Sequence, residues 1–163
     1  MKEKNAARWT KENALANARR YCVYQERCHS EVRNKLLSHG LYGDFLEEII
    51  ASLIEEDYLN EERFAIHYAG GKHRIKGWGR HKIELELRKK QVSAYSIKVA
   101  LQSIGQDDYH DQIRRVLERR MQYVADQIKE VQEHEIVQYG LRKGYSYEEV
   151  QTALKAIRDK GDQ

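Results

Sequence analysis

Three groups of side chains have the types to do chemistry, and their spacing decides what chemistry is open to them. Cys22, Cys28 and His29 offer thiolates and an imidazole, a set that suits zinc. A structural zinc site needs four ligands at recognised spacing, and the chain holds no second cysteine pair. His67, His73 and His81 miss the i, i+4 spacing that sets two ligands on one helical face. Glu55, Glu56 and Asp57 are adjacent, and adjacent residues on a helix point apart. There is no glycine-rich phosphate loop and no nucleophile elbow. No catalytic residue, metal or cofactor is expected, and the chain reads as a binding protein rather than an enzyme.

The stronger signal is positive charge. Lys72, Arg74, Lys76, Arg80 and Lys82 surround Trp78, which stands between Gly77 and Gly79. Bases in this arrangement suit phosphates or an acidic protein groove. An indole on a glycine turn can stack on a base or cover a junction between helices. Arg88, Lys89 and Lys90 extend the run, and at a helix C-terminus they also complement the dipole. Arg114, Arg115, Arg119 and Arg120 form a further cluster that suits a solvated face. Lys2, Lys4, Arg8 and Lys11 are expected on a frayed start, with residues 1–9 flexible.

These bases need helices to position them. Val32, Leu36, Phe45, Ile49, Ile50 and Leu53 recur at helical spacing. A shift of 51 residues lays Val32, Leu36, Leu41, Ile50, Leu53 and Tyr58 on Ile83, Leu87, Val92, Leu101, Ile104 and Tyr109. A further shift of 53 reaches Ile136, Tyr145, Ala153, Leu154 and Ile157. The predicted helices lie at 10–26, 29–38 and 43–56, then 60–76, 79–90 and 93–104, then 110–124, 127–142 and 146–160. Gly40 and Gly144 suit left-handed helix ends, and Ser146 with Glu149 suits a capping box. Ser93 takes the matching place in the second copy. Tyr42 takes it in the first, which moves the expected cap to Gly43 or Asp44. The expected fold is all-α: an elongated, curved array of three-helix repeats over 10–59, 60–109 and 110–163.

Composition agrees. The chain has no proline in 163 residues, and proline disrupts helix interiors. Its net charge of +3 hides a sharp contrast. Residues 31–62 carry nine acids against two bases, and residues 70–90 carry eight bases against two acids. Such a split gives an oriented surface field, or helix faces that pair with each other. Apolar runs are too short for a membrane span, and the first 20 residues hold no apolar signal core. Two cysteines make no disulfide framework, so reduced thiols and a cytoplasmic setting are expected.

The segment Cys28–Leu36 followed by Gly40 resembles the first-module signature of the RecX family. So does Ile54–Ala65 leading into Trp78–Leu87. The likeness runs from 13 to 160, and in the third copy it rests on the apolar stripe and Gly144. Cys28–His29 stand where the family more often has a small residue or Ser, so the likeness gives Cys28 no role. The resemblance implies tandem three-helix repeats and a regulator that binds the RecA recombinase filament on single-stranded DNA. It implies that such binding modulates, usually inhibits, strand exchange and ATP turnover. Lys72, Arg74, Lys76, Arg80, Lys82, Arg88, Lys89 and Lys90 are then the expected filament or DNA contacts, with Trp78 stacking or packing beside them. Weak direct nucleic-acid binding and a monomer fit this picture. The alternative is a helix-turn-helix DNA-binding protein or transcriptional regulator reading DNA with residues 79–90, and a helical scaffold without nucleic acid is a third reading.

Overall fold

A computed structural model describes residues 7–161. Lys2 and Lys4 lie outside them. Among the described residues there are nine α-helices and no strand. They are α1 (Ala14–Tyr24), α2 (His29–Ser38), α3 (Gly43–Glu55), α4 (Glu61–Gly71), α5 (Arg80–Lys89), α6 (Ala94–Gln102), α7 (Gln106–Tyr123), α8 (Lys129–Lys143) and α9 (Tyr147–Gly161). The all-α helical-repeat architecture expected from the stripes is present.

The stripes become buried faces. Val32 and Leu36 of α2 meet Ile49, Ile50 and Leu53 of α3 and Ala14 and Ala18 of α1 in one core. A second core runs without a break from Phe64 and Ala65 of α4 through Ile83, Leu87 and Ile97 to Ile113, Leu117, Ile136, Val150 and Leu154. Each fully buried Leu or Ile contributes about 2 kcal/mol. Helices α1 to α3 therefore form one packed unit, while α4 to α9 share another. The accessible surface is 11020 Å². A compact monomer of this mass shows roughly 8,500 Å², so the outline is extended.

Helix ends follow local chemistry. Gly40 and Gly144 take positive φ, as expected. Gln91 takes the same conformation (φ 61°) at the matching end in the second repeat, without glycine. Ser146 and Glu149 exchange the two capping-box bonds, at 2.8 and 3.1 Å. Ser93 Oγ accepts from the Ser96 N–H at 3.3 Å. At α3 the cap is Tyr42, not Gly43 or Asp44, and no side chain satisfies it.

Three expectations are corrected. The helix expected at 10–26 begins at Ala14, because Thr10 and Asn13 bond reciprocally in a turn ahead of it. The helix expected at 110 begins at Gln106, where Asp107 and Asp108 complement the first turn. The helix expected over 60–76 is α-helical only to Gly71 and widens into a π-helical turn over Lys72–Lys76, closed by Gly77 at φ 66°.

Residues 7–9, expected to be loose, are tied down. The Trp9 ring stacks on His39 with centroids 4.0 Å apart, and the Trp9 backbone N–H donates to His39 O at 3.1 Å. His39 Nδ1 donates to Ala7 O at 2.5 Å.

Candidate functional site

The π-helical turn, Trp78 and the start of α5 form the joint between α4–α6 and α7–α9. Gly79 N–H donates to Lys143 O at 2.8 Å, and His81 N–H donates to Gly144 O at 3.1 Å. A Cβ on Gly79 would lie 2.7 Å from Tyr145 N, and one on Gly144 would lie 2.6 Å from Lys82 N. The backbones touch here, so glycine is required on both sides. Tyr145 Oη donates to Gly77 O at 2.9 Å, and Lys143 Nζ donates to Lys76 O at 2.8 Å. The segment whose bases were expected as contacts is thus also where α7–α9 dock.

Beneath the joint lies a buried aromatic group. His73 stacks on Tyr109 at 5.2 Å and donates through Nδ1 to Trp78 O at 2.9 Å. The Arg80 guanidinium lies 3.8 Å over the Tyr109 ring and donates to Ile104 O at 3.1 Å. Tyr109 Oη accepts from Arg80 N–H and donates to Glu149 Oε2. Burial pushes the Tyr109 hydroxyl up to about 12, and it pushes Tyr145 higher still.

The eight expected contact bases, on the π-helical turn and along α5 to its C-cap, do not share one face. On one face, Lys72 and Lys82 flank the half-buried Trp78 ring at 5.2 and 4.8 Å. Trp78 meets Tyr68 edge-on at 6.5 Å, and Lys72 and Lys90 lie 5.3 and 5.7 Å from the Tyr68 ring. The row continues beyond the joint. Lys143, Arg142 and Arg120 lie 5.5, 6.0 and 4.9 Å from Tyr139 of α8. Alternating rings and cations thus run from α4 across the joint to α8. A ring holds an ammonium group by its quadrupole, at about 0.5–1 kcal/mol for an exposed pair. Rings so occupied are not free to take a base on the same face, and the cations beside them are held in a row. Arg74 and Lys76 are exposed, Lys76 on the side of Tyr68 and Lys72 and Arg74 on the side of Ile66 and Gln112.

On the other face, Arg80, Glu84 and Arg88 line up at i, i+4 spacing, with Arg88 donating to Glu84 at 2.5 Å. Lys89 pairs with Glu86 at 2.8 Å. Lys90 pairs with Glu31 at 2.8 Å, which holds its ammonium above the ordinary lysine value. Among the described residues, this is the one ion pair joining the acidic segment 31–62 to the basic segment 70–90. Three other acids of 31–62 pair outside the basic segment: Glu47 with Arg33, Glu56 with Arg19 and Asp57 with Arg63. Of the arginine cluster on α7, Arg114 pairs with Asp111 and Arg120 with Glu135, while Arg115 and Arg119 face solvent.

Tyr68, Tyr139, Arg142 and Lys143 were not expected among the contacts. The repeat carries a signal for the last two, since their basic tip on α8 matches Lys89–Lys90 on α5. The cysteines and histidines do not converge. Cys22 and Cys28 are free and buried, and desolvation pushes the Cys22 thiol up to about 11. His67 and His81 are exposed while His73 is buried. No cluster of three or more potential metal ligands occurs among the described residues. No helix among the described residues is long and apolar enough to cross a membrane.

Comparison with known proteins places this architecture. The family model of the RecX second three-helix domain matches residues 60–101, the stretch that carries α4 to α6. The regulatory protein RecX of Leuconostoc citreum is 24% identical over 144 residues, covering 88% of this chain and 54% of that protein. The regulatory protein RecX of Bacillus cereus strain B4264 is 25% identical over 158 residues, covering 93% and 56%. The chain therefore spans about half the length of the curated relatives it matches. The crystal structure of RecX from Lactobacillus salivarius superimposes with a TM-score of 0.81 at 25% identity, covering 91% of this chain and 96% of that one.

Proposed function

We propose that the chain is a regulatory protein of the RecX family, supported by its match to the RecX second three-helix domain and its likeness to RecX proteins over most of its length, and that it binds the RecA recombinase filament on single-stranded DNA and inhibits its ATPase and strand-exchange activities. The observation that carries the proposal is the row of cations from Lys90 and Lys72 through Lys82 to Lys143 and Arg142. It crosses two helix triads, so it can follow a long anionic partner rather than a point ligand. Each phosphate neutralised releases a counterion, which gives the contact a steep salt dependence. The exposed carboxylates of α3, such as Asp44 and Glu48, are available to basic filament surface. A protein lying along the filament would hinder entry of a second strand or addition of subunits. The setting is cytoplasmic, the partner is the filament, and the protein acts as a monomer.

The three triads serve as tandem repeats close to the expected divisions at 59/60 and 109/110. The start of α7 moves the second division to 105/106. The direct test adds the protein to RecA on single-stranded DNA and follows ATP hydrolysis. Hydrolysis should slow at stoichiometric protein, and an unchanged rate would overturn the proposal. The variant Lys72→Glu/Arg74→Glu/Lys76→Glu/Lys82→Glu should weaken inhibition while helicity by circular dichroism is kept. Tight, sequence-selective duplex binding without RecA would favour a DNA-reading regulator instead.

A further inference from the structure

The face of α5 turned away from the aromatic–cation row borders a groove of about 510 Å³, closed by α6 and the start of α7. Its floor is aliphatic, made of Ile97, Leu101 and Ile104. Its rim carries three cations, Arg80, Arg88 and Lys98, against the single acid Glu84. The cations are not equivalent. Arg80 is fixed on the Tyr109 ring and the Ile104 carbonyl, with guanidinium N–H groups left over. Arg88 is tethered by Glu84. Lys98 is exposed and has no ion-pair partner among the described residues. The space holds one or two bulky side chains, and the cations stand where carboxylates beside those side chains would lie.

We propose that this groove docks a short acidic peptide segment of a partner protein, one with a bulky aliphatic or aromatic residue flanked by carboxylates. Two observations favour a peptide over a nucleic-acid backbone. A phosphate track gains nothing from an aliphatic floor, whereas an apolar side chain desolvates it. Glu84 at the rim repels a run of phosphates but leaves room for carboxylates placed to either side, on Arg80 and Lys98. Rim charges of this kind steer and select a partner, while the buried side chain sets its lifetime. The inference does not rest on RecA, because groove and row lie on opposite faces of α5 and can be tested separately.

The test is fluorescence anisotropy of the full chain with a fluorescein-labelled peptide, Asp-Glu-Asp-Leu-Phe-Asp-Glu, in moderate salt. Saturable binding is expected. Lys98→Glu combined with Arg88→Gln should weaken it about tenfold, the scale of two rim charges. The variant Lys72→Glu/Lys82→Glu, on the other face, should leave peptide affinity unchanged. A peptide with Leu-Phe replaced by Ser-Ser should lose binding. The substituted residues Lys98 and Arg88 are exposed, so thermal unfolding should match the parent chain. Absence of binding, equal affinity for the Ser-Ser peptide, or indifference to Lys98→Glu/Arg88→Gln would each overturn the proposal. So would displacement of the peptide by oligo-dT in a manner abolished by Lys98→Glu, which would make the groove a phosphate site.

Discussion

Gly79 shows how much a single residue decides at the joint. Its missing side chain lets Gly144 and Tyr145 approach backbone to backbone, so Gly79→Ala must part the two triads or distort both. Overpacking of this kind costs about 3 kcal/mol. Gly105→Ala is the control, since its Cβ would meet nothing closer than Asp108 Oδ2 at 3.6 Å, at a negative φ. Thermal denaturation should show a large loss for Gly79→Ala and almost none for Gly105→Ala. Trp78 stands half-buried beside this contact, with Lys72 and Lys82 against its ring. Trp78→Phe should retain much of the packing and loosen the two lysines, weakening filament inhibition less than the charge-reversal variant does. Unchanged inhibition together with lost stability would show that packing is its whole role.

At the scale of elements, two hydrogen-bonded groups tie helices that are far apart in sequence, and both are sensitive to pH. Burial works to raise the Glu61 carboxyl, but bonds from Ser93 Oγ, the Ser93 N–H and Ser96 Oγ together hold it below its ordinary value. A carboxylate lowered on folding stabilises above its unfolded value near 4.5 and loses that contribution as pH falls through the lowered one. The tie between the start of α4 and the start of α6 should therefore loosen only in acid. Tyr109 behaves in the opposite sense. Its hydroxyl is raised to about 12 from 10, so the contribution is complete below pH 10 and is lost as pH climbs towards 12. Denaturant titrations at stepped pH should show stability falling across that alkaline window. Tyr109→Phe should flatten the fall and cost about 1 kcal/mol at neutral pH through its lost hydrogen bonds.

Helix positions were legible in the sequence because an apolar stripe has a period, and period is a local property. Gly40, Gly144, Ser93 and Ser146 marked ends for the same reason. The π-helical turn was not legible, since Lys72–Lys76 carries no residue that demands a wider helix. It exists where Gln112 of α7 reaches across to the carbonyls of His73 and Arg74. The basic segment was visible as charge, but its division between faces was not. That division depends on Tyr68 and Tyr139 capturing lysines through the fold, and no local spacing encodes a ring met across the joint.

Over the whole molecule, the two cores differ in how they are joined. Helices α1 to α3 reach the rest mainly through polar links: Lys90 with Glu31, Ser30 Oγ donating to Lys90 O, and Arg63 with Glu26. Cys28 is the buried apolar side chain from that region in the second core. Weakening these links should separate the two units thermodynamically. Lys90→Met with Arg63→Met should convert one unfolding transition into two, most clearly at high salt, with native-state hydrogen exchange showing α1–α3 opening first. A single unchanged transition would mean that the units are coupled through packing instead.

The shared core of α4 to α9 also has a consequence for biosynthesis. A nascent chain that has emerged as far as Leu59 already holds the residues of its first core and can fold while translation continues. The next stretch is less self-contained. Phe64, Ala69, Ile83 and Leu87 of α4 and α5 can pack with Ile97 and Ala100 of α6, but they share their core with Leu117, Ile136 and Val150, which leave the ribosome later, and Gly79 waits for Gly144. During that interval the part of the α4 to α6 surface that α7 to α9 will cover is bare, and a chaperone has an apolar face to hold there.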